Sequence, residues 1–266
     1  MKKTIVFFDV EADLVSQKTD NKECIERVLG ELRKRKIMAA FNVCGKVVEE
    51  FPRQVELMHS NGHEISSHMY NHENVLGLNE KELNSAMQKT EKLISEITGS
   101  KPIGFRSPWL YYNAKVYSVL RQRGYKWASN KRIRRAEIAE HPSLQFSDSN
   151  FLHLVNKLLL KTFLRTQWVF FPKKPFNANG LREIPLLSSM DGELLGLVDP
   201  NQNSSLAQLE FTVNSLQKQY FQAEQHFNLT FHDWLIGSKN RIKVLQSTLD
   251  FLQKQRAEFI LPRELL

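Results

Sequence analysis

TIVFFDV, residues 4–10, is a nearly continuous apolar run rich in β-branched and aromatic side chains. Such a run is typical of a strand that is buried on both faces of a parallel sheet. The apolar residues of NKECIERVLGELRKRK (21–36) recur at helical spacing, and IMAAFNVCG (37–45) is a second buried run. A strand, a helix and a second strand in this order predict a parallel sheet with right-handed crossovers.

The alternation continues beyond this unit. A helix is predicted over residues 46–62, a strand over HEISSH (63–68), and a long helix over 79–99 with Asn79 and Glu82 at capping-box spacing. Further strands are predicted at IGFRSP (103–108), YKWASN (125–130), LREIPLL (181–187) and FNLTFHDW (227–234). No glycine-rich phosphate loop follows these strands, which argues against a dinucleotide-binding fold. An irregular α/β barrel is the predicted fold class.

The composition is that of an ordinary soluble protein. Hydrophobic residues make up 41% of the 266 residues, and no apolar run approaches the roughly 20 residues that span a bilayer. The N-terminal run is too short for a signal peptide, so we expect a cytoplasmic protein. Cys24 and Cys44 match neither a zinc spacing nor a disulfide framework. The net charge of +8 favours an anionic partner, but no nucleic-acid recognition motif is present, and no nucleic-acid binding is expected.

Ionisable side chains follow several of the predicted strands. In parallel α/β folds the carboxyl ends of the strands form one rim, and active sites lie there. The residues predicted to converge on this rim are Asp9, Glu11, Asp13, His68, His72, Arg106 and His232. One carboxylate with two imidazoles is a common ligand set for a divalent transition metal. His68 and His72 are four residues apart, a spacing at which they could share one face of a helical turn.

The acidic strand end suggests two roles. Asp9 and Glu11 are two residues apart and point the same way from an extended strand, so one can bind the metal while the other takes a proton from water. Each residue also has a plain structural interpretation. His68 and His72 could be solvated surface residues, and Asp13 could cap a helix. Arg106 could form a purely structural ion pair, and His232 could be a partly buried histidine with its hydrogen bonds satisfied.

Five segments in chain order carry a family resemblance: FFDVEAD (7–13), GHEISSHMYNH (62–72), GFRSP (104–108), REIPLL (182–187) and LTFHDW (229–234). Together they resemble the polysaccharide deacetylases, the nodulation-type carbohydrate esterases. The resemblance implies a distorted, incomplete (β/α) barrel with fewer than eight parallel strands. It covers a single domain, residues 1–266, and is weakest over an irregular basic insertion at 131–178. It also implies metal-dependent removal of an N-acyl (acetyl) group from an amino sugar in a polysaccharide, an oligosaccharide or a lipid-linked sugar.

The resemblance also implies a role for each site residue. Asp9 becomes the general base, Arg106 orients Asp9, and His232 becomes the general acid. Glu11, His68 and His72 become the ligands of a divalent metal. Zinc is the first choice, and cobalt, nickel, manganese and iron also suit the ligand set. The backbone at Ser107, Pro108 and Trp109 is expected to bind the acetate or the oxyanion, and Trp234 to line the acyl pocket.

Two features depart from the family pattern. Most members have two adjacent aspartates at the end of the first strand, whereas this chain has Asp9 and Glu11 separated by one residue, with Asp13 as a competing ligand. The aspartate that usually partners the arginine has no counterpart in YKWASN (125–130). These departures leave open a catalytically inactive carbohydrate-binding relative. A metal-dependent amidohydrolase acting on a small non-sugar amide is the other alternative.

The basic insertion suggests a membrane contact. FLHLVNKLLLKTFLR (151–165) carries an apolar stripe with lysine and arginine on the other side, and further basic residues stand at 131–135 and 173–174. Such a helix fits the surface of an anionic membrane, and a lipid-linked sugar at its cytoplasmic face would agree with this location. An ordinary helix packed on the barrel is the alternative.

Overall fold

The computed structural model describes residues 1–11, 21–132, 171–195 and 203–266. One sheet in this part has nine strands: β1 Lys3–Val10, β2 Ala40–Val43, β3 Glu64–Ser67, β4 Gly104–Phe105, β5 Trp127–Ala128, β6 Phe176–Ala178, β7 Leu181–Glu183, β8 His226–His232 and β9 Glu258–Phe259. The α-helices are α1 Asn21–Arg35, α2 Gly45–Glu50, α3 Pro52–Ser60, α4 Glu80–Thr98, α5 Ala114–Gln122, α6 Asp191–Leu195, α7 Leu206–Gln222, α8 Asp233–Ile236 and α9 Ile242–Lys254.

The strands follow the order β6-β7-β5-β4-β3-β2-β1-β8, and the sheet curves into an open half-barrel. Seven strands of this path run parallel to their neighbours, while β6 pairs antiparallel with β7. The short strand β9 lies off the path and pairs in parallel with β1. The predicted class, a distorted and incomplete (β/α) barrel, is therefore confirmed. At the end of the predicted insertion 131–178, residues 176–178 form β6; residues 133–170 lie outside the described part.

The predicted helix over 46–62 is two helices, α2 and α3, separated at Phe51. Pro52 explains the break, because proline lacks an N–H and excludes the preceding residue from helical geometry. Phe51 accordingly has φ −129° and ψ 51°. The capping box predicted for the long helix is present, with Asn79 accepting from the Glu82 N–H and Glu82 accepting from the Asn79 N–H.

Strand β1 lies at the centre of the fold. All of its residues from Thr4 to Val10 are buried, as expected for a parallel strand covered on both faces. Phe8 stacks on Phe41 of β2 and also contacts Phe231 of β8, which ties the three neighbouring strands together. The carboxyl ends of β1, β2, β3 and β8 therefore lie side by side at one rim. No helix in the described ranges is both long and apolar enough to cross a membrane.

Candidate active site

Asp9 lies at the carboxyl end of β1, opposite Asn42 of β2 and His232 of β8. Its Oδ1 accepts hydrogen bonds from Asn42 Nδ2 at 2.6 Å and from Arg106 Nη1 at 3.1 Å. No donor to Oδ2 is present among the described residues, and Asp9 lines the pocket at this rim. One carboxylate oxygen is thus fixed by the protein, and the other is available for chemistry.

Arg106 is fully buried behind Asp9. Its Nε donates to the Ser129 carbonyl at 3.1 Å, its Nη2 donates to Ser129 Oγ at 2.7 Å, and its Nη1 donates to Thr230 Oγ1 at 2.8 Å. Ser129 belongs to YKWASN, where the resemblance led us to look for an aspartate. Ser129 and Thr230 hold the guanidinium in this protein, with Asp9 as its carboxylate partner.

Glu11 follows β1 and meets His68 and His72. Its Oε1 lies 3.3 Å from His68 Nε2 and 2.9 Å from His72 Nε2, and the three side chains are buried. One ligand atom from each residue lies within 4.8 Å of the others. Burial raises the pKa of Glu11, but the charge of His232 and the two other imidazoles outweigh it and hold that pKa well below its usual value. Asp13, the alternative ligand, lies outside the described residues.

The arrangement of the ligand atoms indicates that this cluster suits a cation. His68 Nδ1 lies 2.8 Å from the carbonyl oxygen of Arg106, and because a carbonyl oxygen only accepts, Nδ1 carries the proton. His68 Nε2 then faces a carboxylate oxygen of Glu11 at 3.3 Å. His72 Nε2 is buried close to the same oxygen without hydrogen-bond alignment. Two imidazole nitrogens that converge on one carboxylate oxygen fit the ligand set of a divalent metal.

The two histidines do not share a helical turn, so that prediction is wrong. Residues 68–72 form a loop in which Met69 and His72 have φ of 65° and 54°. Positive φ is strained in non-glycine residues, at about 1–3 kcal/mol each, and persists where the surroundings enforce it. The Met69 and Tyr70 carbonyls accept from the N–H groups of Gly45 and Lys46 at the start of α2, which holds the loop in place.

His232 ends β8 on the other side of Asp9. Its Nδ1–H donates to Asp191 Oδ1 at 2.6 Å, and its backbone N–H donates to Asp191 Oδ2 at 2.9 Å. Burial lowers the pKa of His232, but the charges of Asp191 and Glu11 outweigh burial and raise the pKa to about 10. The imidazole is therefore held protonated, with Nε2 3.9 Å from Glu11 Oε1.

The loop after β4 supplies backbone groups to the rim. The Ser107 N–H donates to Asn130 Oδ1 at 2.8 Å, so this amide is engaged within the protein. Pro108 has no N–H, and among the described hydrogen bonds none uses the Trp109 N–H. Of the three residues predicted to bind acetate or the oxyanion, Trp109 therefore has the free amide, and Ser107 and Trp109 also line the pocket.

Trp234 and Asp233 both form hydrogen bonds with Glu11. Trp234 Nε1–H donates to Glu11 Oε2 at 3.2 Å, and the Glu11 N–H donates to Asp233 Oδ1 at 3.1 Å. Trp234 also lines the pocket, which is where the sequence placed it. The pocket has a volume of about 370 Å³ and contains Asp9, Glu11, His72 and His232 in its wall.

Asn42, Asp191 and Asn130 are among the residues of the site that sequence reasoning missed. Asn42 stands in the apolar run IMAAFNVCG, and a lone amide in a buried strand was a signal that could have been used. Asp191 follows REIPLL at a rim position, but a helix cap explains an aspartate there equally well. Nothing in the sequence around Asn130 indicates a role in the site, because its contact with the Ser107 N–H arises only from the fold.

The comparisons with known proteins match the first half of the chain to a family model. Residues 2–128 match the family model described as polysaccharide deacetylase. The family resemblance is confirmed. The polysaccharide deacetylase match includes the positions of Asp9, Glu11, His68, His72 and Arg106 and ends before Asp191 and His232.

Two curated relatives agree with this match. A peptidoglycan deacetylase from Helicobacter pylori is 29% identical over 103 residues, 39% of this chain and 35% of that protein. A peptidoglycan-N-acetylglucosamine deacetylase from Bacillus cereus is 28% identical over 109 residues, 41% of this chain and 37% of that protein. The chain thus spans little more than a third of the length of the curated relatives it matches.

Solved structures share the fold over almost the whole chain. A protein described as a polysaccharide deacetylase from Mycobacterium smegmatis has a TM-score of 0.68 and 19% identity, covering 97% of this chain and 86% of that one. A pseudoenzyme of carbohydrate esterase family 4 from Bacillus anthracis has a TM-score of 0.60 and 14% identity, covering 99% of this chain and 65% of that one. At these identities the likeness concerns the fold alone.

Proposed function

We propose that the chain is a metal-dependent N-deacetylase that removes an acetyl group from an amino sugar within a glycan. The single observation that carries the proposal is the buried cluster of Glu11, His68 and His72, whose converging nitrogen and oxygen atoms fit a divalent metal beside an available carboxylate oxygen of Asp9. The names of the curated relatives, which are deacetylases of peptidoglycan, support an N-acetylated glycan as substrate.

The ligand set favours zinc, and cobalt, nickel, manganese and iron are the other candidates. When bound, a divalent metal supplies Lewis acidity, which lowers the pKa of water and polarises the acyl carbonyl. Because the described ligands are one carboxylate and two imidazoles, the set leaves positions open for water and substrate. Trp234 and Asp233 keep Glu11 in place for this role through their hydrogen bonds.

Three groups of the chain carry the remaining chemistry in this proposal. Asp9 Oδ2 takes the proton of the attacking water, while Arg106 and Asn42 keep Oδ1 engaged and the carboxylate oriented. The Trp109 N–H donates to the oxyanion that forms on the acyl carbon. His232, held protonated by Asp191, gives its proton to the leaving amine nitrogen, because an amide anion is too poor a leaving group.

Acetate release tests this function directly. We expect metal-loaded protein to release acetate and free amine in equal amounts from N-acetylglucosamine oligosaccharides, and a chelator to stop the reaction. Asp9→Asn should lower the rate by about 10²–10⁴-fold, because it removes the base without removing the side chain. Asp250→Asn, a change at an exposed helix position, is the matched control and should leave the rate unaltered.

Two alternatives have distinct outcomes in the same assay. Product from a ureide or cyclic imide, with none from the sugars, would indicate an amidohydrolase of small amides. Binding of oligosaccharide without any turnover, even after metal loading, would indicate a catalytically inactive relative. Either result contradicts the proposed deacetylase.

Location and membrane contact remain separate proposals. The segment 151–165, on which the membrane contact depends, lies outside the described residues. Residues 133–135 of the basic run 131–135 also lie outside them. Cytoplasmic location stays a prediction from sequence. Sedimentation with anionic liposomes at low salt tests the contact, and protein left in the supernatant would contradict it.

A further inference from the structure

The side chain of Glu73 folds back onto residues 69–71, which we name the histidine loop because they join the two candidate ligand histidines. Glu73 Oε2 accepts hydrogen bonds from the Tyr70 N–H at 3.1 Å and from the Asn71 N–H at 2.9 Å. Successive amides that point at one anionic oxygen form a cradle for it, and hydrogen bonds to an ionised acceptor are stronger than those between neutral groups. The half-buried carboxylate of Glu73 therefore fixes the amide side of the histidine loop.

The carbonyl groups of the histidine loop are bound by helix α2. The Met69 carbonyl accepts from the Gly45 N–H at 2.9 Å, and the Tyr70 carbonyl accepts from the Lys46 N–H at 2.8 Å. The loop belongs to no helix or strand, so these contacts and those of Glu73 determine its conformation. Helix α2 holds the carbonyls, and Glu73 holds the amides.

The conformation that these contacts enforce is a strained one. Met69 has φ of 65° and His72 has φ of 54°, and a non-glycine residue in this region is strained by about 1–3 kcal/mol. Strain of this size persists only where the surroundings enforce it. Glu73 is the next residue after His72, and its two hydrogen bonds close the chain over the strained position.

The two histidines of the cluster are fixed in different ways. His68 follows β3 directly, its N–H donates to the Val43 carbonyl at 3.0 Å, and its Nδ1–H donates to the Arg106 carbonyl at 2.8 Å. His72 lies four residues further along and meets Glu11 from the far end of the histidine loop, with Nε2 2.9 Å from Oε1. A change in the conformation of the loop would thus move His72 and leave His68 in place.

The side chain of Tyr70 does not replace Glu73 as a support. Its hydroxyl donates to Glu49 Oε2 at 2.6 Å, and Lys89 Nζ lies 3.6 Å from the centre of its ring. These contacts hold the ring of Tyr70 against the surface of the protein. Among the described hydrogen bonds, the amides of Tyr70 and Asn71 have Glu73 as their acceptor.

We propose that Glu73 is a positioning residue of the metal site, whose carboxylate holds the histidine loop so that His72 already meets Glu11 before a metal binds. The proposal rests on the metal site of the proposed function and assigns the placement of one ligand to a residue outside the ligand cluster. A preorganised ligand loses less freedom when the metal binds, so Glu73 raises the affinity for the metal.

The experiment measures the dissociation constants of Zn²⁺ and Co²⁺ for wild type, Glu73→Ala, Glu73→Gln and Glu73→Asp. In Glu73→Ala we expect both constants to rise by about tenfold to a hundredfold, the usual effect of removing a group that orients a ligand. Glu73→Gln should remain within about threefold of wild type, because its amide oxygen also accepts two hydrogen bonds. Glu73→Asp keeps the charge but shortens the reach, so it should bind as weakly as Glu73→Ala. Glu56→Ala, a change at an exposed glutamate of α3, is the matched control.

Urea-induced unfolding of the metal-free proteins separates this role from a general loss of stability. The variants are compared only where the metal-free protein is folded, and the contrast between Glu73→Gln and Glu73→Asp decides the question if Glu73→Ala does not fold. Equal dissociation constants in wild type and all three variants would overturn the role of Glu73 and leave the metal site intact. Weak binding by Glu73→Gln together with wild-type binding by Glu73→Asp would also overturn it, because the charge would then be what matters.

The outcomes also separate Glu73 from the deacetylase function. Metal binding that is weakened in Glu73→Ala and Glu73→Asp, without acetate release by wild type, supports the role of Glu73 and overturns the deacetylase. Acetate release by wild type, with metal affinity that does not depend on residue 73, overturns the role of Glu73 alone. Failure of wild type to bind either metal overturns both.

Discussion

At the scale of single residues, Asp191 determines the protonation state in which His232 is held. Its carboxylate contacts both the ring Nδ1–H and the backbone N–H of His232. In the proposed reaction His232 must be protonated to act as the acid. The protonated form is present below the pKa and is lost as the pH rises through it, so Asp191 extends activity towards alkaline pH.

Asp191→Asn should move the alkaline limb of the pH–rate profile to lower pH. The substitution removes a negative charge that raises the pKa of His232, while the amide keeps most of the side-chain volume. The measurement is kcat/KM against pH for acetate release, with Asp250→Asn as control. An alkaline limb at the wild-type position in Asp191→Asn would contradict the role given to Asp191.

The sequence predicts some residues of the site and not others. Asp9, Glu11, His68, His72, Arg106 and His232 stand at strand ends, and a parallel sheet brings strand ends to one rim. Asn42 and Asn130 instead act through contacts between strands and loops that no spacing encodes. The sequence pattern also could not predict that His68 and His72 lie in a loop, because an i, i+4 spacing does not show whether a turn is helical.

At the scale of elements, most strands and helices were predictable because their apolar patterns are long. The break between α2 and α3 was readable at Pro52, yet the apolar periodicity on both sides of it favoured one helix. The two-residue strands β4 and β5 carry little pattern of their own. Their pairing depends on Gly104, which the sequence marks only as a glycine in a strand.

Gly104→Ala should destabilise the pairing of β4 with β5. An added Cβ would lie 2.0 Å from the Trp127 ring, which is fully buried and held by a hydrogen bond from Nε1 to Glu64. Because the ring has no space to move, we expect unfolding free energy to fall by about 1–3 kcal/mol. Urea-induced unfolding measures this change.

Gly30→Ala is the matched control for that experiment. Gly30 lies within α1, and a Cβ there meets nothing within 4 Å. The free energy of unfolding should rise by about 0.5–1 kcal/mol, because alanine favours the helix. Equal effects of the two substitutions would contradict the close packing described for Gly104.

At the scale of the whole molecule, the stability of the protein should depend on pH through His63. Its ring is buried, packs against Phe41 and accepts a hydrogen bond from the Ala39 N–H at Nδ1. Burial lowers the pKa of His63 to about 4, below the value of about 6.5 in an unfolded chain. The unfolded state binds more protons between these values, so the stabilisation is complete above pH 6.5 and declines as the pH falls towards 4.

His63→Gln should flatten this dependence. Glutamine keeps a hydrogen-bond acceptor but does not titrate, so the wild type should lose about 2–3 kcal/mol more unfolding free energy than the variant between pH 7 and pH 4.5. Urea titrations at a series of pH values give both profiles. Parallel profiles would show that His63 is not buried neutral in the folded protein.

The central claim is that Glu11, His68 and His72 bind a divalent metal, and the metal content of the purified protein tests it most directly. Wild type, His68→Ala and His59→Ala, a change at an exposed histidine of α3, are purified without chelator, exposed to zinc and separated from free ions. Elemental analysis should find close to one metal per chain in wild type and His59→Ala, and little in His68→Ala. No metal in wild type, or equal metal in all three proteins, would contradict the account.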